Sequence, residues 1–249
     1  MVLTIIGLKG IPEIKKGDDI AEIIYSTLKK QNMDLQDKDI IVITQKIVSK
    51  SEGRIIDLSK IKPSRLALRL AKTSKKDPRI IEVILRESKS ILRLKNGKII
   101  SETKHGFVCA NAGVDKSNIE GENFVSVLPK NPDKSAMRIR EKLIKLTGKN
   151  LAVIISDTFG RPWRVGQVNV AIGIAGLKPI KDYRGKKDMF NQELKVTMMA
   201  IADELASAAE LVMNKSDGVP VAIIRGYDYP EGEASIKEII RPIELDLFR

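Results

Sequence analysis

Four short apolar runs rich in β-branched residues constrain this chain most: residues 2–8 (Val-Leu-Thr-Ile-Ile-Gly-Leu), 39–44 (Asp-Ile-Ile-Val-Ile-Thr), 151–155 (Leu-Ala-Val-Ile-Ile) and 219–224 (Val-Pro-Val-Ala-Ile-Ile). Each has the length of a strand and ends at polar or turn-forming residues, so each is read as a buried strand. Between the first two, Asp18 or Asp19 can cap a helix in which Ile20, Ile23, Ile24 and Leu28 recur at helical spacing, which makes the opening β-α-β.

The middle of the chain breaks that alternation. Residues 63–71 and 78–87 predict two short helices, the second with Asp77 at its cap and Pro78 in its first turn. Asn96-Gly97, between the apolar stretches 91–94 and 99–100, predicts a hairpin because that dipeptide accepts positive φ. Asn131-Pro132 begins a helix that runs to 146, with Gly148 as its stop. An alanine-rich helix is expected over 193–213, and a short helix over 235–240. Hairpins mixed with isolated helices predict an α+β fold with mixed and antiparallel sheets and flanking helices. With no internal repeat or composition shift, 1–249 is read as a single domain.

Composition removes several function classes. A chain of 249 residues can bury a core without a structural metal or disulfide, and its one cysteine, Cys109, can form no intrachain disulfide. A cytoplasmic, reducing compartment is therefore expected. No apolar stretch approaches the roughly 20 residues a bilayer requires, so no membrane association is expected. A net charge of +12 favours anionic partners. Nucleic acid is not expected among them, because aromatics are only 4% of residues, the basic side chains are dispersed and no zinc-finger or RNP-type pattern occurs.

Two segments can carry chemistry. In 106–118, a small-residue strand runs into a polar turn that presents Asp115, which could bind a hard cation; an Asx-type turn satisfied by Asp115 and Asn118 is the alternative. In 154–164, a buried strand is expected to end at Asp157 and to deliver Asp157 and Thr158 together. Both can offer oxygen to Mg²⁺ or Mn²⁺, while Arg161 and Arg164 can neutralise phosphate or carboxylate. The alternative is a capped turn with Trp163 over the core and both arginines solvated.

The turns Lys9-Gly10-Ile11-Pro12 and Thr44-Gln45-Lys46-Ile47-Val48-Ser49-Lys50 each follow a strand and offer amides and lysine to an anion, although neither is a P-loop and ordinary solvated turns would look the same. Gly173-Ile174-Ala175-Gly176 lacks the remainder of a dinucleotide fingerprint, so close backbone packing explains it. His105 and Cys109 are the only residues of their types and no Gly-x-Ser-x-Gly elbow occurs, which leaves a nucleophilic triad without support.

Taken together, Asn-Ala-Gly-Val-Asp-Lys-Ser-Asn at 111–118, Ser-Asp-Thr-Phe-Gly-Arg-Pro-Trp-Arg at 156–164 and Ala-Ile-Gly-Ile-Ala-Gly at 171–176 closely resemble the coenzyme F420-0:L-glutamate ligase family. The resemblance extends from Leu8-Lys9-Gly10-Ile11-Pro12 through Ser49-Lys50-Ser51-Glu52-Gly53-Arg54 to Gly218-Val219-Pro220-Val221-Ala222, nearly the whole chain. It implies GTP-dependent addition of L-glutamate to coenzyme F420-0, then of a second glutamate by a γ-linkage, through an acyl phosphate and with release of GDP and phosphate.

It further implies Mn²⁺ or Mg²⁺ at two sites, K⁺, and a butterfly-like homodimer of two intertwined lobes that form a cleft. Carried over by position, Asp115 and Asp157 would bind one divalent cation and Thr158 would help to bind a second. GTP would meet Lys9, Gly10, Ile11, Pro12, Thr44, Gln45, Lys50, Asn118 and the turn Met213, Asn214, Lys215, Ser216, Asp217, Gly218. Asp115, Asp157 and Arg161 are the candidate catalytic residues. Some relatives continue into a flavin-binding nitroreductase-like domain; this chain stops at Arg249, so no flavin is expected. The competing readings are a metal-dependent phosphohydrolase and a basic nucleic-acid-binding protein.

Overall fold

The computed structural model describes residues 2–247. In chain order, β1 (Thr4–Gly7), α1 (Ile20–Lys30) and β2 (Ile40–Thr44) form the expected opening, and Asp19 caps α1 by accepting from the amides of Ala21 and Glu22. Next come α2 (Gln45–Ser51), β3 (Ile55–Asp57), α3 (Arg65–Ser74), α4 (Pro78–Glu87), β4 (Ser88–Lys95), β5 (Lys98–Thr103), β6 (Val108–Ala110) and β7 (Phe124–Ser126). The chain then forms α5 (Pro132–Thr147), β8 (Ala152–Arg161), β9 (Arg164–Ala175), β10 (Lys181–Asp182), β11 (Met198–Met199), α6 (Ile201–Met213) and β12 (Val221–Arg225).

The four apolar runs meet in one five-stranded sheet of order β1-β12-β2-β8-β9. Only β2 and β8 pair in parallel, so the sheet is mixed as expected. Ile40, Ile41, Val42 and Ile43 are all fully buried, which requires cover on both faces of β2. Helices α1, α5 and α6 supply much of that cover within the larger of two buried apolar clusters. The smaller cluster is built by residues 56–127 alone, from α3, α4 and the short sheets β3-β7 and β4-β5-β6.

Local signals set much of this. The β4–β5 hairpin turns at Asn96 and Gly97, with φ of 50° and 73°. Asn131 caps α5 from its side chain and Gly148 ends it in the left-handed region, at φ 71°. Gly173 and Gly176 serve packing, as expected: a Cβ on Gly173 would meet the Pro132 backbone at 2.5 Å, and one on Gly176 the Leu151 carbonyl at 2.8 Å.

Several readings need correction. The strand from 151 does not end at Asp157; β8 continues to Arg161 and turns through Pro162 and Trp163 into β9. Because β2 pairs with β8 only as far as Ser156, residues 157–161 extend past the sheet with β9 as sole partner, in a two-stranded arm. Trp163 is 87% exposed near its tip and covers no core. The helix expected over 193–213 starts only at Ile201, because Met198 and Met199 pair with Asp182 and Lys181, a tertiary contact that overrides helix propensity. Of the segment 44–50, read as a turn, all but Thr44 lies in α2, and the last short helix, expected over 235–240, is a 3₁₀ turn over Ile236–Ile239.

Candidate functional site

The strand ends and turns singled out in the sequence converge on one cavity of about 1040 Å³, at the upper end of the range for ligand pockets. Ile11 and Pro12 enter it from the turn after β1, Thr44 from the end of β2, and Gln45 and Lys50 from α2. Asp115 and Asn118 approach from the turn after β6, and Asp157 and Thr158 from β8. Met213, Asn214, Lys215, Ser216 and Gly218 close it from the end of α6 onward.

Four expected residues lie outside the lining: Lys9, Gly10, Arg161 and Asp217. Arg161 stands on the arm, where its guanidinium donates to the Val165 carbonyl at 3.2 Å. Asp217 is engaged within its own turn, accepting from Asn214 at 2.8 Å and Ser216 at 3.0 Å.

The two acids differ in environment. Asp115 is fixed by the backbone, its amide donating to the Ser126 carbonyl and its carbonyl accepting in return. The preceding turn has three consecutive residues at positive φ: Asn111 (55°), Ala112 (54°) and Gly113 (71°). Lys76 holds that turn by donating to Asn111 Oδ1 at 2.6 Å. Burial opposes ionisation of Asp115, but the Lys46 ammonium at 2.6 Å, together with the Ser117 hydroxyl and amide, outweighs it and holds the carboxyl below its ordinary value.

Asp157 shows the opposite balance. Burial pushes it up to about 6, and the nearby Asp115 charge adds to the rise, against the Thr158 amide, Lys46 and Gln45. The Ser49 hydroxyl donates to Gln45 Oε1 at 2.8 Å, which leaves the Gln45 NH₂ group for Asp157. A register shift that skips Ile172 of β9 precedes Asp157 and re-aims β8 as it enters the cavity.

Sequence reasoning missed three contributors. Lys46 lay in a quoted segment with no assigned role; its side chain is only 13% exposed, pairs with Asp115, donates to Ser126 Oγ at 2.9 Å and acts on Asp157 as well. Ser126 arrives through a strand with no motif. Asn169 is buried opposite Thr158 on β9 and accepts from the Thr158 hydroxyl at 2.8 Å. A polar residue inside an otherwise apolar strand was the only sequence signal for it.

Half of the Ser49-Lys50-Ser51-Glu52-Gly53-Arg54 segment is structural. Glu52 accepts from Ser135 and Arg138, and Arg54 donates to the Leu128 carbonyl at 3.0 Å and pairs with Glu87 at 2.8 Å. Cys109 lines the cavity, but burial and then the Asp157 charge push its thiol up to about 12, which disfavours the thiolate at neutral pH. Among the described residues no group of three or more His, Cys, Asp or Glu side chains could hold a metal ion, and no helix is long and apolar enough to cross a membrane.

Known proteins resemble this chain over nearly all of its length. The chain is 51% identical to the coenzyme F420:L-glutamate ligase of Methanothermobacter thermautotrophicus, with the full length of both chains covered. It is 50% identical to the protein of that name from Methanocaldococcus jannaschii, over 98% of this chain and 96% of the other. With that from Methanosarcina mazei the identity is 44%, over 98% and 94%. A model of the F420-0:Gamma-glutamyl ligase family matches residues 9–226, and the chain belongs to that family.

Proposed function

We propose that this chain is a GTP-dependent ligase that adds L-glutamate to coenzyme F420-0 and then a second glutamate by a γ-linkage. Family membership and the full-length relatives named coenzyme F420:L-glutamate ligase support the substrates. The observation that carries the reading is the convergence of Asp115 and Asp157 from separate segments on one cavity, close enough to act on each other, with Lys46 near both.

A carboxylate is a poor acyl donor until one of its oxygens becomes a leaving group. In the proposed sequence, a carboxylate oxygen of F420-0 attacks the γ-phosphorus of GTP, the bond to the β–γ bridging oxygen breaks and GDP departs. The glutamate amine, having lost a proton, then attacks the acyl carbon of the acyl phosphate, and phosphate leaves as the amide forms.

The acid pair fits a hard divalent cation such as Mg²⁺ or Mn²⁺. It offers oxygen donors only, and its two carboxylates face a single lysine, which leaves a negative balance. Such cations are commonly held by one or two carboxylates plus substrate phosphates, so a larger protein cage is not required. When bound, the cation would neutralise charge developing on the phosphates.

The chain's own groups do the rest. Lys50, which pairs with Glu13 at 2.6 Å, is placed to meet a phosphate, and Lys46 has one ammonium donor left after Asp115 and Ser126. The turns at 11–12, 44–45 and 213–218 would enclose the nucleotide. K⁺, a cytoplasmic location and a homodimer belong to the same proposal. The homodimer is supported by apolar side chains exposed on the arm, Trp163 and Val165, and in the segment before α6, Met189, Phe190 and Val196.

Release of GDP measured with and without glutamate tests the reading. It should depend on glutamate and F420-0; release at the same rate with neither would instead favour the phosphohydrolase, in which water attacks phosphorus.

A further inference from the structure

The resemblance implies a second divalent cation at Thr158, and the side chains around that hydroxyl do not fit one. Lys215 Nζ donates to Thr158 Oγ1 and to Asn169 Oδ1, both at 2.9 Å, and lies 3.3 Å from Glu210 Oε1. The ammonium thus makes two hydrogen bonds and one ion pair, all to oxygens. Asn169 is 2% exposed and held opposite Thr158 by the β8–β9 register, so the seat of the ammonium is built into the hairpin. A divalent cation would bind the Thr158 oxygen at about 2.0–2.6 Å, which puts it on or beside a positive charge already seated there.

Charge separates the two clusters. Asp115 and Asp157 share Lys46, and their negative balance attracts a further cation. Around Thr158, Glu210 is matched by Lys215 while Thr158 and Asn169 are neutral, so nothing there calls for a second charge.

We infer that Lys215 takes the place of the second cation, so that this chain binds one divalent ion, at Asp115 and Asp157, while a fixed ammonium seated on Thr158, Asn169 and Glu210 faces the triphosphate. The inference rests on the nucleotide-binding reading above and narrows it. Lys215 belongs to the cavity-lining turn after α6 and reaches Thr158 on the arm, so it also ties the nucleotide turn to β8.

Stoichiometry decides the matter without an activity assay. The full chain, Lys215→Gln and Lys215→Arg would be titrated with Mn²⁺ in saturating guanylyl imidodiphosphate, and bound Mn²⁺ counted by electron paramagnetic resonance. Lys215 has an exposure of 56%, and its glutamine variant keeps the fold within reach of a circular dichroism check. The expected result is one Mn²⁺ per chain in the unaltered protein and in Lys215→Arg, and two in Lys215→Gln, where Glu210 loses its counter-charge. Two ions in the unaltered protein, or one in Lys215→Gln, would overturn the inference while leaving the ligase reading intact. No Mn²⁺ on any of the three would overturn the divalent-cation reading itself, and the inference with it.

Discussion

Asp157 carries an electrostatic cost that its proposed role at a cation would offset. With its carboxyl raised from 3.8 to about 6, the native chain holds a proton there that the unfolded chain has lost across that interval. The native state is therefore favoured by this group at low pH, and the advantage is lost as pH rises through about 6. At ~1.4 kcal/mol per pKa unit, the ionised form costs on the order of 2–3 kcal/mol without a cation. Asp157→Asn is thus expected to melt higher than the unaltered protein near neutral pH without metal, and to lose that margin towards about pH 4. The same proton competes with metal: Mn²⁺ affinity should fall as pH drops below about 6, and an affinity flat across that range would remove Asp157 from the cation site. Lys50 is a simpler case. Its partner Glu13 is 67% exposed, so the pair adds little stability. Lys50→Ala should leave the melting temperature nearly unchanged while weakening GTP binding roughly tenfold or more, as loss of a charged hydrogen bond implies; unchanged GTP affinity in a calorimetric titration would exclude the role.

At the level of elements, α5 lies against β9 through Gly173, where any side chain collides with the Pro132 backbone. Gly173→Ala is expected to cost about 1–3 kcal/mol, and a urea midpoint indistinguishable from that of the unaltered protein would show that the contact yields freely. What was legible in the sequence follows from how local each signal is. Asn96-Gly97, the Asn131 cap, Gly148 and Asp77-Pro78 act through their own backbones and appear where expected. The continuation of β8 past Asp157, the start of α6 and the helix at 45–51 depend on partners far along the chain, and local propensity reported none of them correctly. The site divides in the same way. Asp115, Asp157 and Thr158 stood in recognisable motifs, whereas Lys46, Ser126 and Asn169 reach them through strand register and helix placement. Arg161 had a persuasive neighbourhood in sequence, but the hairpin carries it away from the cavity.

For the whole molecule, the arm and the charge are the features that act at long range. Trp163 and Val165 extend from the sheet with 87% and 100% exposure, an arrangement that a second copy of the chain could bury. Replacing both, as Trp163→Ser with Val165→Lys, should convert the proposed homodimer to monomer in sedimentation at micromolar concentration; a variant that sediments as the unaltered protein does would take the arm out of any interface. The net charge of +12 suits a protein whose proposed substrates are all anions. In the proposed reaction, one shared cavity couples triphosphate cleavage to amide formation. The most direct test of that coupling is mass analysis after incubating the protein with F420-0, GTP, L-glutamate and Mn²⁺. F420-0 is expected to gain one and then two glutamyl residues, with GDP formed in step; unextended F420-0, with GTP either intact or hydrolysed without glutamate, would overturn the ligase reading.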